Sequence, residues 1–299
     1  MEILVVGSVG LDSITTPHGK REEVVGGSAS HFAMSASYFA PVNMVAVVGK
    51  DFPEETHQLF RRHKIDLEGL QIVEGRTFRW SGYYNIDYHK AYTLETQLNV
   101  FSDFKPVIPD RYQTAECIFL GNIDPVLQLQ VLDQVKEPKL VVGDTMNFWI
   151  ESKRDEVIAL MKRVDVMLLN DQEARDLGET HDMIRAGRRV LGMGPRAVVI
   201  KKGEHGAVLF HGDEIFIAPA YPYSKVVDPT GAGDSFAGGF VGHLARTGDP
   251  TARNFRQAII YGSIMGSFNI EDFSLYRISQ LAESEIATRY DAFRELTRF

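Results

Sequence analysis

The residues best suited to chemistry lie in the segment Val226-Val227-Asp228-Pro229-Thr230-Gly231-Ala232-Gly233-Asp234-Ser235-Phe236-Ala237-Gly238-Gly239-Phe240, which runs from an extended stretch through a glycine turn into an amphipathic helix. Gly231 and Gly233 let the backbone turn sharply and leave the amides of residues 231–234 uncovered where the helix begins. Unpaired N–H groups and the positive end of the helix dipole then converge on an anion. Asp234 falls in the first helical turn beside that cradle. There a carboxylate can take the proton of an attacking hydroxyl while the amides hold a transferring phosphoryl group. The same spacing also suits a plain helix N-terminus, with Asp234 favoured by the dipole and two glycines making a tight turn. The residues alone leave both readings open.

Such a turn needs a frame. Short Val/Ile/Leu-rich runs at residues 3–6, 45–48, 140–142, 166–169 and 198–200 lack in/out alternation, as expected for strands buried on both faces of a mostly parallel sheet. Between them lie stretches with helical spacing, such as Val157, Met161 and Val164, or Ala258, Ile259, Gly262 and Met265. This alternation predicts an α/β fold, a doubly wound and mostly parallel sheet flanked by helices. Over residues 78–100 the period becomes two. Phe78, Trp80, Tyr84, Ile86 and Tyr88 fall on one face, and Tyr92, Leu94, Leu98 and Val100 follow after a polar turn at His89-Lys90. That pattern predicts an antiparallel hairpin with one wet and one aromatic face. Either it packs on its own domain, or it forms a small β lid that closes over a ligand and excludes water. The chain reads as one domain over 1–299, with the lid an insertion at about 71–101 joined by parts of 12–25. Residues 281–299 read as an amphipathic closing helix.

Bulk properties narrow the partners. With 299 residues, 44% hydrophobic and 24% charged, there is enough apolar mass for one large core. The single cysteine, Cys117, can form neither an internal disulfide nor a cysteine zinc site, so a cytoplasmic setting is expected. The N-terminus lacks the pattern of a leader peptide, and no window approaches the roughly 18 apolar residues of a membrane span. A net charge of −8 without a dense Lys/Arg run gives little support for nucleic-acid binding. A small molecule is the expected partner. Gly7-Ser8-Val9-Gly10 has the wrong spacing for a dinucleotide fingerprint, and GxxxxGK[ST] is absent.

The run DPTGAGDSFAGGF at 228–240 resembles the C-terminal signature of the ribokinase-like, or PfkB, family of carbohydrate and nucleoside kinases. Gly26-Gly27-Ser28-Ala29 resembles that family's N-terminal glycine pair, and Val48-Gly49-Lys50-Asp51 its VGxD element. Asn170-Asp171-Gln172-Glu173 resembles its NxxE motif, and Lys201-Lys202-Gly203-Glu204-His205-Gly206 its KxGxxG nucleotide loop. The likeness spans about residues 1–270. It implies a ribokinase-like fold and an ATP- and Mg²⁺-dependent kinase that phosphorylates a hydroxymethyl group of a sugar or sugar-like substrate.

Carried over residue by residue, the resemblance implies that Asp234 is the catalytic base and that Gly231, Ala232 and Gly233 form the anion hole. Asn170 and Glu173 would organise Mg²⁺ and the ATP phosphates through water, as suits a hydrated cation that prefers oxygen. A strand followed by Asn-x-x-Glu is equally a helix capping box. Lys201, Gly203 and Gly206 would line the nucleotide, Asp228 and Thr230 would lie on the cofactor side, and Asn269 would touch adenine. Asp12, Gly26, Gly27 and Ser28 would meet the substrate, the aspartate by accepting hydrogen bonds from hydroxyls. His31 stands where many relatives have an asparagine; it either binds the ligand through a ring nitrogen or is a satisfied helix histidine. Phe78, Trp80, Tyr84, Phe148 and Trp149 offer flat surfaces for a base or a sugar ring. Gly121-Asn122-Ile123-Asp124-Pro125 is similar to bacterial adenosine kinases of the family, so a nucleoside kinase is the alternative. A non-catalytic nucleotide- or sugar-binding protein is the alternative of another class, and Asp234 with its intact glycine turn argues against it. The lid face could pair with another lid in a homodimer or serve only as a cover.

Overall fold

The computed structural model describes residues 1–88 and 90–298; of the expected His89-Lys90 turn, His89 lies outside the described residues, as does Phe299 at the chain end. In chain order the elements are β1 (Ile3–Val6), β2 (Gly10–Thr16), β3 (Gly19–Gly26), α1 (Ser28–Ala36), β4 (Val42–Gly49), α2 (Glu54–Arg62), β5 (Ile65–Val73), β6 (Phe78–Tyr84), β7 (Ala91–Gln97) and β8 (Cys117–Leu120). There follow α3 (Pro125–Leu132), β9 (Leu140–Gly143), α4 (Asn147–Ser152), α5 (Arg154–Met161), β10 (Val166–Asn170), α6 (Asp171–Gly178), α7 (Met183–Leu191), β11 (Ala197–Lys201), β12 (Ala207–His211), β13 (Glu214–Ala218), α8 (Ala232–Thr247), α9 (Ala252–Asn269) and α10 (Glu283–Leu296).

Nine strands form the main sheet in the order β13-β12-β11-β10-β9-β8-β1-β4-β5. Pairing is parallel from β5 through β11 and antiparallel at β12 and β13. Its strands lack polar alternation because both faces are covered. Ile3 and Val5 join one core with Phe32 of α1, Phe240 of α8 and Ile259 of α9, while Leu4 and Val6 join another with Val157 of α5, Leu177 of α6 and Val190 of α7. α10 adds Ile286 and Phe293 to the first core. No described helix is long and apolar enough to cross a membrane.

A second sheet, ordered β3-β2-β6-β7, takes two strands from residues 10–26 and two from 78–97. Its face pattern differs from the simple alternation expected. The register shifts between Ser81 and Gly82, opposite Leu94, and β6 ends at Tyr84, so Ile86 is 86% exposed in the connection. Leu98 and Val100 lie beyond the end of β7. Aromatic side chains therefore divide between the faces. Trp80 and Tyr84 pack inward with Ile14, Val24, Val227 and Phe273, whereas Tyr83 stacks on Tyr92 with centroids 5.0 Å apart on the other side.

Candidate active site

The connection from Asp228 to α8 is a hydrogen-bonded turn that leads into the helix N-terminus. Asp228, wholly buried, accepts from the N–H of Thr230 at 2.9 Å and from that of Ser274 at 3.4 Å. Gly231 caps α8 in the left-handed conformation, φ 74° and ψ 1°, which favours glycine. The Ala232 N–H donates back to Pro229 O, and Ser235 N–H to Gly231 O. The N–H groups of Gly233 and Asp234 belong to the first helical turn, where no intrahelical acceptor exists. Asp234 is the one acidic residue of that turn. The Lys201 ammonium, at the end of β11, lies 3.4 Å from where a Cβ on Gly233 would sit.

Four charged groups meet beside this turn. Lys201 Nζ pairs with Asp144 Oδ2 at 3.0 Å, and Asp144 stands just past β9. Burial favours a neutral amine at Lys201, yet the charges of Asp144, Glu173 and Asp234 hold its pKa above the ordinary value. Burial, and then the charge of Asp144, pushes Asp234 up to about 7 against the opposing pull of Lys201. The same two causes push Glu173 up to about 8. Glu173 completes a capping box: its carboxylate accepts from Asn170 N at 2.7 Å and Nδ2 at 2.6 Å, and its own N–H donates to Asn170 Oδ1 at 2.8 Å. The two side chains hold each other while each Glu173 oxygen keeps a free lone pair, which a water on a nearby hydrated ion would satisfy. Among the described residues no three His, Cys, Asp or Glu side chains form a ready metal cage. The oxygen-only, acid-rich set around one lysine nevertheless has the chemistry of a hydrated Mg²⁺ site.

At the other side of the turn, Asp12 on β2 is 5% exposed and has no hydrogen bond or ion pair among the described residues. Burial, followed by the charges of Asp228 and Asp234, raises its pKa to about 8. Its carboxylate lies where a Cβ on Gly26 would be, 1.9 Å away, so that glycine makes room for it. Gly27, at φ 94°, lets the Ser8 carbonyl approach the start of α1. Tyr84 reaches in from the small sheet. Thr230 Oγ1 donates to its hydroxyl at 3.4 Å, and burial raises its pKa to about 12.

Several expected contacts lie elsewhere. Asn269 is 1% exposed, its Nδ2 donates to Thr230 O at 2.7 Å, and its Oδ1 accepts from Ser235 Oγ at 2.9 Å. Ser28 turns its hydroxyl to Ser8, 3.2 Å away, and Ser28 N–H donates to Ser8 Oγ, which ties the β1–β2 connection to the start of α1. His31 is buried beneath the glycine turn with Nδ1 2.9 Å from Asn269 Oδ1. Asp228 serves the inside of the turn. Gly203 and Gly206 form the tight connection from β11 to β12, closed by Lys202 N–H to Gly206 O. Phe78 lies against Gly10 and Phe101 at the base of the small sheet, and Trp80 Nε1 donates to Thr93 Oγ1. Trp149 Nε1 donates to Asn122 Oδ1 at 3.0 Å, with Phe148 edge-on to it and 55% exposed. Asp144 was overlooked as a charged site member. An aspartate at the carboxyl end of a buried parallel strand was the available signal, since ligands of doubly wound sheets bind at that edge.

A doubly wound sheet with a small second sheet over one end is the architecture of ribokinase-like kinases. The chain belongs to the pfkB carbohydrate kinase family, whose model matches residues 3–280, and is an ATP-dependent kinase acting on a hydroxyl acceptor. It is similar to a cytidine kinase of Thermococcus kodakarensis, 31% identical over 252 residues that cover 82% of this chain and 89% of that one. Among solved structures, a putative ribokinase II from E. coli in complex with ATP and Mg²⁺ has a TM-score of 0.79 at 17% identity, covering 97% and 99% of the two chains. A Burkholderia thailandensis nucleoside kinase in complex with inosine has a TM-score of 0.76 at 19% identity, covering 97% and 98%. These two likenesses concern the fold.

Proposed function

We propose that the protein transfers the γ-phosphoryl group of ATP to a primary hydroxyl of a nucleoside, with Asp234 as general base. The observation that carries this reading is the place of Asp234, in the first turn of α8 next to the Gly231 turn and beside Lys201 and Asp144, where burial pushes its pKa up to about 7, toward the range that suits a base at neutral pH. The nucleoside rests on the likeness to the cytidine kinase. A free sugar is the second reading, favoured by membership of a carbohydrate kinase family; the buried Asp12 suits the hydroxyls that both ligands carry.

In this mechanism Asp12 accepts hydrogen bonds from the acceptor's hydroxyls and aims its primary alcohol at the glycine turn. Asp234 takes the alcohol's proton as the oxygen attacks. The amides of Gly231 and Gly233, with the Lys201 ammonium, stabilise the charge on the transferring group, while the Ala232 N–H stays with Pro229 O and holds the turn. Asp144 holds Lys201 in place through its 3.0 Å ion pair. Mg²⁺ arriving with the nucleotide would be held through water by Glu173 and Asn170 beside Asp144, and would neutralise phosphate charge. The inward face of the small sheet, with Trp80 and Tyr84, keeps water from the acceptor.

ADP release from a panel of nucleosides, pentoses, hexoses and inositols tests the reading. Asp234→Asn is expected to lower turnover on the order of 10² to 10⁴-fold while nucleotide binding is kept. Undiminished turnover in that variant would overturn the assignment of the base, and activity confined to free sugars would replace the nucleoside by the second reading.

A further inference from the structure

His31 is 1% exposed, and its ring lies face-on beneath the glycine turn: a Cβ on Gly231 would sit 2.3 Å from Cγ and Nδ1 and 2.4 Å from Cδ2. Its neighbours fix where its proton is. Thr230 O can only accept, so the Asn269 atom 2.7 Å from it is the amide nitrogen, and Asn269 Oδ1 points the other way. That oxygen accepts from Ser235 Oγ and also only accepts, so the His31 nitrogen 2.9 Å from it, Nδ1, carries the proton. Burial lowers the ring's pKa to about 4, which keeps it neutral. Nε2 is therefore an enclosed lone pair with no partner. A phenyl ring would fill the same space without stranding a nitrogen. What the imidazole adds is the Nδ1–H bond to Asn269.

That bond ends a short chain of contacts. Asn269, the last residue of α9, grips the carbonyl of Thr230 just before Gly231 and the hydroxyl of Ser235 just after Asp234. One turn further along, Ser35 Oγ of α1 donates to Ser235 O at 2.7 Å. The helix that begins at the substrate glycines is thus tied to both flanks of the catalytic turn.

We infer that His31 is a positioning residue for phosphoryl transfer, holding Asn269 and through it the glycine turn in the geometry that aims its amides and Asp234. This rests on the reading of that turn as an anion hole. The expectation that His31 binds the ligand from a ring nitrogen is replaced by an indirect role.

Two variants separate what the ring and the donor do. His31→Phe keeps a ring against Gly231 and removes the hydrogen bond; His31→Asn keeps an N–H donor near the position of Nδ1 and removes the ring. We expect His31→Phe to lower kcat on the order of 10- to 100-fold, with KM for ATP and acceptor little changed, and His31→Asn to recover most of that loss. In a cycle with Asn269→Ser, the double variant His31→Phe/Asn269→Ser falls little below either single one. Rates are taken per folded molecule by circular dichroism, and if His31→Phe does not fold, Asn269→Ser alone carries the same kcat-against-KM test. Unchanged kcat in His31→Phe, a change confined to acceptor KM, or strictly additive losses would each overturn the inference. Wild-type turnover in His31→Phe beside a dead Asp234→Asn sinks the brace alone, whereas an active Asp234→Asn sinks the base.

Discussion

A buried histidine–asparagine pair lies beside each end of α8, and the two pairs differ in how completely they are bonded. At the C-terminal end His243 Nε2 meets Asn254 Oδ1 at 2.8 Å and Nδ1 meets Arg246 at 3.2 Å, while Asn254 Nδ2 donates to Thr247 Oγ1 and to Asp249 O. The ring stacks on Tyr261, which stacks on Tyr290. Each polar side-chain atom of that pair has a partner. At the N-terminal end, among the described residues, His31 Nε2 has none, the first-turn amides have no intrahelical acceptor, and the Asp12 carboxylate beyond them makes no hydrogen bond or ion pair. A closed network holds two helices together. In the open one the first-turn amides and the Asp12 carboxylate carry bonding capacity that a ligand can satisfy, whereas the His31 Nε2 is enclosed.

Two glycines make the contrast testable, because both bracket α8 with similar positive φ: Gly231 at 74° and Gly248 at 67°. Gly231→Ala adds left-handed strain and drives a methyl into the His31 ring. Turnover is expected to fall on the order of 10²- to 10³-fold, the cost of a lost oxyanion donor, together with a lowered Tm. At Gly248 a Cβ meets nothing within 4 Å. Gly248→Ala should cost about 1 kcal/mol of stability and leave kcat and KM alone. ADP release and thermal melting on both variants decide the matter; equal losses of turnover would erase the distinction between the ends.

The satisfied pair can be opened deliberately. His243→Phe strands Asn254 Oδ1 and should cost about 1–3 kcal/mol in a denaturant titration, with kcat per folded molecule unchanged. His31→Phe is expected to reverse that ratio of effects. A drop in kcat for His243→Phe would mean that the whole of α8, and not its first turn, tunes the chemistry.

How far these features could be read beforehand depended on how local they are. The strands were legible because burial on both faces removes polar residues from runs such as Leu140–Gly143, and the glycine turn because its parts lie within four residues. The small sheet's faces were not. Alternation assumes an unbroken register, and the shift at Ser81/Gly82 together with adjacent Tyr83 and Tyr84 sends aromatic rings to both sides. Asn269 looked like a loop amide open to adenine because its partner His31 is 238 positions away. Asp144 went unnoticed for the same reason: its partner, Lys201, ends β11, and only the sheet order brings the two to one edge.

The response to pH has one sign at the buried carboxyls and the opposite sign at the buried histidines. Asp12 and Glu173 are raised to about 8 and Asp234 to about 7, so between the unfolded carboxyl range and those values the folded chain binds more protons than the unfolded one. Their contribution to stability is complete below about pH 4 and is lost as pH rises through 7 to 8, at a slope of at most about 1.4 kcal/mol per pH unit for each proton. His243 is lowered by burial, so its contribution is present above the ordinary histidine value of 6.5 and lost as pH falls below it. Melting of the ligand-free protein from pH 6.5 to 8.5 should therefore show declining Tm, governed by the N-terminal end. Asp12→Asn removes one of the three acids and their mutual repulsion, so its decline should be shallower, while His243→Phe should leave that limb untouched and remove only its own share of the acid side, since burial lowers the pKa of His31, His57 and His63 as well. A Tm that rises between pH 6.5 and 8.5, or an Asp12→Asn slope identical to that of the native chain, would show that these acids are neither crowded nor short of counter-charge in the folded protein.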